Sequence, residues 1–81
     1  MGLSRDLLLA HLQGHSRADL GKLDDDAALF STGLVDSFAM VDLMMFLEKH
    51  TGARLGPEDI DVDNLDSIRR ILAFATARER P

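Results

Sequence analysis

The sequence contains no cysteine, tryptophan or tyrosine, and only two of its 81 residues are proline. Without cysteine, the chain can form neither a disulfide framework nor a thiolate metal site. The apolar run Leu7-Leu8-Leu9-Ala10 is too short for a membrane span or for the apolar segment of a signal peptide. We therefore expect a cytoplasmic protein that has no thiol chemistry of its own.

Basic residues are also scarce, because 9 lysines and arginines stand against 14 acidic residues and give a net charge of −5. The phosphates of nucleic acids require a basic surface, so this charge argues against nucleic-acid binding and favours basic protein partners. Hydrophobic residues make up 46% of the chain and charged residues 28%, which suits a folded protein with one small core. We expect residues 1–81 to form a single domain.

The apolar spacing predicts helices and no strands. Ser4 is a good N-cap for a first helix over about residues 4–13. Asp36 is a good N-cap for a longer helix that runs to Thr51 and stops at Gly52. A short helix is expected near residues 57–61, and a final helix is expected after Asp66 as its cap. The fold class is therefore all-α, a small bundle of three main helices and one short helix.

A long irregular segment, residues 15–35, separates the first two helices. Its isolated apolar residues are expected to anchor it to the core, and these are Leu20, Leu23, Leu29 and Phe30. A connection of this length in a compact domain is either functional or hides an unrecognised element. A helical turn around residues 27–30 is one such element.

The second helix has two apolar sides when its residues are placed at 100° intervals. One side is broad enough for the core and carries Ala39, Met40, Leu43, Met44, Phe46 and Leu47. The other side mixes apolar and polar groups, namely Ser37, Phe38, Val41, Asp42, Met45, Glu48 and Lys49. Exposed apolar groups with a polar rim are typical of a binding surface. The alternative is that the last helix or the long loop covers Phe38 and Met45.

The stretch LFSTGLVDSFAMVDLMMFLE, residues 29–48, resembles the attachment region of acyl and peptidyl carrier proteins. In that family an Asp-Ser-Leu or similar triplet opens the second helix, and its serine receives 4′-phosphopantetheine. The resemblance extends over nearly the whole chain, including the acidic GPEDID segment and the final NLDSIRRILAF. It implies the same fold that the spacing predicts.

The resemblance makes Ser37 the attachment residue for a 4′-phosphopantetheine arm that comes from coenzyme A. It implies that the chain is no enzyme, and that a separate phosphopantetheinyl transferase modifies Ser37. An acyl- or aminoacyl-activating ligase would then load the arm, and a transferase or synthase would receive the cargo. The resemblance also implies partner contacts at Asp36, Phe38, Val41, Asp42, Met45, Glu48, Glu58, Asp59 and Asp61.

The sequence departs from fatty-acid carriers in three places. The triplet ends in Phe38 where leucine is usual, GLV stands where GA is common, and Lys49 and His50 interrupt what is often an acidic run. The motif TGLVDSF more closely resembles the corresponding motif of freestanding carriers of amino acids, such as D-alanyl carriers, or of carriers of secondary metabolism. The expected cargo is therefore an acyl or aminoacyl group held as a thioester.

Other chemistry has weaker support. His11 and His15 are four residues apart, but the sequence offers no evident third metal ligand. Asp59, Asp61 and Asp63 begin like a calcium loop, which then lacks the required glycine and glutamate. No G-x-S-x-G elbow surrounds Ser37, so a serine hydrolase is set aside. We expect neither a metal site nor catalysis.

Two classes of function are left. One is a carrier of thioester-bound cargo. The other is an unmodified helical adaptor that binds a partner protein through Phe38, Val41 and Met45.

Overall fold

The computed structural model describes residues 3–16, 19–36, 38–59 and 61–78. In these residues all regular structure is helical, and no strand occurs. The α-helices are α1 (Arg5–Gln13), α2 (Phe38–Thr51), α3 (Val62–Leu65) and α4 (Ile68–Arg78). Two 3₁₀ helices, Leu20–Lys22 and Pro57–Asp59, lie in the connections. The predicted all-α fold with three main helices is confirmed.

The capping residues predicted for α1 and α2 occupy their expected positions. The Ser4 hydroxyl accepts a hydrogen bond from the Leu7 amide at 3.1 Å, and the Asp36 carboxylate accepts one from the Phe38 amide at 2.9 Å. The second helix ends at Thr51, and Gly52 follows with a φ of 72°. This left-handed conformation favours glycine and ends the helix where the sequence predicts.

The last third of the chain differs from the prediction. The short helix expected near residues 57–61 is replaced by the second 3₁₀ helix and by α3, which the Asp61 side chain caps. The final helix is capped by Ser67, whose hydroxyl accepts from the Arg70 amide at 3.1 Å. The prediction that Asp66 caps this helix was therefore wrong, because Asp66 points its carboxylate at the long loop instead.

The core lies where α1, α2 and α4 meet. Each helix contributes its apolar face, and the long loop adds three side chains of its own. Burial of each large aliphatic side chain is worth about 1.5–3 kcal/mol. The fully buried large side chains are Leu8, Leu12, Leu20, Leu29, Val35, Leu43, Leu47, Leu65 and Ile71.

The long loop is ordered by contacts with the helices around it. Its 3₁₀ helix lies at Leu20–Lys22, whereas residues 27–30 form bends and turns and no helix. An ion pair joins Arg5 to Asp25 at 2.7 Å, and another joins Arg69 to Asp26 at 2.6 Å. The hydrogen bond from Arg5 lowers the pKa of the Asp25 carboxyl. Asp25 and Asp26 thus link the loop to α1 and α4.

Candidate functional site

The candidate site lies at the start of α2. Ser37, the predicted attachment residue, is outside the described residues, so the site is built from its neighbours. Asp36 is exposed, and its carbonyl oxygen accepts from the Ala39 amide at 2.9 Å. Phe38 is 84% exposed. The residues on both sides of position 37 therefore lie at the surface, at the N-terminus of a 14-residue helix.

One carboxylate holds the segment that leads into this helix. Asp66 Oδ1 accepts hydrogen bonds from the amides of Leu29, Phe30 and Ser31 at 3.1, 2.8 and 3.0 Å. Its Oδ2 accepts from the Ser31 hydroxyl at 2.7 Å. Partial burial tends to raise the pKa of the Asp66 carboxyl, but these hydrogen bonds outweigh it and hold the pKa below its ordinary value.

The chain then turns back on itself before it reaches Asp36. The Val35 amide donates to the Leu29 carbonyl at 3.0 Å, and both of these side chains are buried. Gly33 lies in the turn with a φ of 79°, which favours glycine over any other residue. The turn is fixed at both ends, so it sets where α2 begins.

The second apolar side of α2 is open to solvent. Phe38, Val41 and Met45 are 84%, 58% and 65% exposed, and their spacing places them on one side of the helix. Neither α4 nor the long loop covers them, so the alternative in which Phe38 and Met45 are buried is excluded. We call these three residues the exposed face.

Comparison with known protein families shows which family the chain belongs to. A family model described as the phosphopantetheine attachment site matches residues 6–75. The chain belongs to the phosphopantetheine-binding family of carrier domains. No curated protein and no solved structure shows a significant match.

Phosphopantetheine-binding domains carry a covalently attached 4′-phosphopantetheine. They are generally non-catalytic, and they generally work with phosphopantetheinyl transferases and with synthase or ligase enzymes. Among the described residues, no helix is long and apolar enough to cross a membrane.

The start of α2 fits such an arm. The exposed neighbours Asp36 and Phe38 leave room for a group that extends into solvent. The amides of Phe38 and Ala39 are already bonded to Asp36, so these two groups are not free to hold a phosphate.

The acidic residues expected to meet partners differ in their exposure. Asp36, Glu58 and Asp61 are exposed. Glu48 is half-buried, and its carboxylate accepts from the Leu55 amide at 2.9 Å. The structure corrects the expectation for Asp59, which is buried, pairs with Arg78 at 2.7 Å and accepts from the Gly56 amide. Its carboxylate stabilises the fold and is not presented to a partner.

Asp42 is partly exposed, but its carboxylate already has neighbours within the chain. Asp42 Oδ2 lies 2.7 Å from His15 Nε2 and 3.1 Å from His11 Nε2. The spacing of the two histidines indicates no third ligand, because Asp42 is 27 residues away from His15 in the chain. Only the packing of α1 against α2 reveals this cluster.

Proposed function

We propose that this protein is a carrier whose Ser37 holds a 4′-phosphopantetheine arm, and that the arm carries an acyl or aminoacyl group as a thioester. The observation that supports this most is the family match over residues 6–75, which includes the Asp36-Ser37-Phe38 triplet. In the modification, the Ser37 oxygen forms a bond to the pyrophosphate phosphorus of coenzyme A that carries the pantetheine. The hydroxyl proton is lost, the pyrophosphate bond breaks, and adenosine 3′,5′-bisphosphate leaves.

The arm supplies the thiol that this cysteine-free chain lacks. Residues 1–81 act as one carrier domain in the cytoplasm and catalyse no step themselves. A ligase activates the cargo and loads it, and a transferase or synthase takes it from the thioester. The TGLVDSF motif favours an aminoacyl group or a secondary-metabolism building block as the cargo.

Partner enzymes dock on the exposed face. Phe38, Val41 and Met45 supply apolar contact area beside position 37, and a flexible methionine suits a surface that several partners share. The exposed carboxylates of Asp36, Glu58 and Asp61 act chiefly by steering basic partners and fixing their orientation. An unmodified adaptor would also use this face, but it would not explain the family match.

Modification with coenzyme A tests the attachment residue. The chain is incubated with coenzyme A and a broad-specificity phosphopantetheinyl transferase, and its intact mass is measured. We expect a gain of one phosphopantetheine group, with no gain in Ser37→Ala. Ser31→Ala is the matched control, because it removes an exposed hydroxyl from the same loop and should still be modified. An unmodified wild-type chain would favour the adaptor.

A charge placed on the exposed face tests docking. Met45→Glu should leave helicity unchanged, because Met45 is 65% exposed, but should lower kcat/KM for modification or loading about tenfold or more. Leu7→Glu is the control, since Leu7 is a 49% exposed leucine on α1. Circular dichroism and loading rates are measured for both variants. Equal rates in the two variants would argue against docking at Met45.

A further inference from the structure

Three potential metal ligands meet where the end of α1 faces α2. His11 lies in the last turn of α1, His15 lies just after that helix, and Asp42 lies on α2. One donor atom from each residue lies within 4.8 Å of the other two. We propose that His11, His15 and Asp42 form a binding site for a divalent transition-metal ion, with Zn²⁺ as its probe. Imidazole nitrogens and a carboxylate oxygen are ligands that suit this class of ion.

The nitrogen of His11 that faces the cluster lacks a hydrogen bond. Its Nε2 is buried and lies 3.1 Å from Asp42 Oδ2, and it makes no hydrogen bond to any described residue. Buried polar atoms normally have a partner. A metal ion at the cluster would provide one for this nitrogen.

Aromatic packing fixes the His11 ring in the orientation that the site needs. The ring stacks on Phe46 of α2, with centroids 4.1 Å apart and planes 17° from parallel. His15, in contrast, is exposed, and its Nε2 lies 2.7 Å from Asp42 Oδ2. The site therefore combines one positioned imidazole with one that can adjust.

Small movements would convert the present geometry into a coordination site. Tetrahedral zinc with bonds of about 2.0–2.1 Å keeps its ligand atoms about 3.3 Å apart. The oxygen of Asp42 would move from 2.7 and 3.1 Å to about that distance from the two nitrogens. Because the side chains of Asp42 and His15 are 46% and 35% exposed, they can shift, and water can complete the coordination.

A bound ion would join two distant parts of the chain. His15 and Asp42 are 27 residues apart, and the segment between them includes the whole long loop. Closing such a loop restricts the unfolded chain, so binding should stabilise the fold. The ion would also withdraw the Asp42 carboxylate from contact with basic partners.

Calorimetric titration tests the site directly. Zn²⁺ is added to the 81-residue chain. The chain is unmodified because the thiol of the arm would itself bind zinc, and it carries no affinity tag. We expect one ion per chain. Mutation of a residue that only supports a metal ligand typically lowers metal affinity about 10–100-fold. Replacement of a ligand itself, in His15→Ala or Asp42→Asn, should therefore weaken binding at least about tenfold. His50→Ala is the control, since His50 packs on Phe46 outside the three donors.

Two further measurements keep the proposal falsifiable. His15→Gln can keep a hydrogen bond to Asp42 but is a poor zinc ligand, so it should fold normally and still lose affinity. Zinc at a hundredfold excess over its Kd should raise the Tm of the wild type by about 10–20 °C and leave that of His15→Gln nearly unchanged. Unchanged affinity in the His15 variants, or an equal loss in His50→Ala, would overturn the proposal. Neither result depends on modification of Ser37.

Discussion

At the scale of single residues, Asp66 holds the segment that leads to Ser37. Its carboxylate accepts three amides and one hydroxyl from residues 29–31. The sequence indicates only that an aspartate before an apolar helix is a good cap. Its real partners are 35 to 37 positions away in the chain, a distance at which helical spacing carries no information.

Replacement of Asp66 should destabilise the fold in a pH-dependent way. A single hydrogen bond to a charged group is worth about 1.5–3 kcal/mol, with exposed ones at the low end. Asp66→Ala removes four, so it should lower the free energy of unfolding at pH 7 by at least about 2–3 kcal/mol. Ser31→Ala removes one of the four hydrogen bonds and should cost no more than about 1.5 kcal/mol. Urea denaturation measures both changes. A smaller loss in Asp66→Ala than in Ser31→Ala would contradict the role of this carboxylate.

The pH dependence follows from the lowered pKa of Asp66. A carboxyl whose pKa is lower in the folded state stabilises the protein above its unfolded pKa of about 3.9, and loses this effect as the pH falls through the folded value. The stability difference between the wild type and Asp66→Asn should therefore be constant from pH 7 to 5 and should shrink below about pH 4. A difference that persists in acid would mean that packing, not charge, accounts for it.

At the scale of elements, α2 has one buried face and one face that is open to solvent. Leu43 is fully buried, whereas Val41, two positions before it, is 58% exposed. The 3.6-residue period of a helix was enough to separate these faces from the sequence, and the caps of α1 and α2 were equally local signals. The long loop was predicted from its irregular pattern and its apolar anchors. Local signals did not predict the bonds from Asp66 that hold this loop, or the separate helix α3, because these depend on contacts between distant side chains.

Replacement of a side chain by alanine should change the stability of the protein very differently on the two faces of α2. Leu43→Ala should lower the free energy of unfolding by about 2–5 kcal/mol, because it leaves a cavity in the core. Val41→Ala should change it by less than about 0.5 kcal/mol, because little apolar surface is buried there. Urea denaturation of the two variants provides the comparison. Similar losses in both would show that Val41 is covered in solution.

At the scale of the whole molecule, fold class and family followed from sequence, while the assembled clusters did not. The helix pattern and the DSF triplet pointed to a carrier, and the match over residues 6–75 confirms the family. The burial of Asp59 and the meeting of Asp42 with two histidines required the packed structure. A net charge of −5 on so small a domain is consistent with docking to basic partner enzymes.

The most direct test of the carrier function is to locate the arm on the modified chain. Trypsin should release residues 23–49 as one peptide, whose hydroxyl-bearing side chains are Ser31, Thr32 and Ser37. After reaction with coenzyme A and the transferase, fragmentation of this peptide by tandem mass spectrometry should place the phosphopantetheine on Ser37. Modification at Ser31 or Thr32, or an unmodified peptide, would contradict the account.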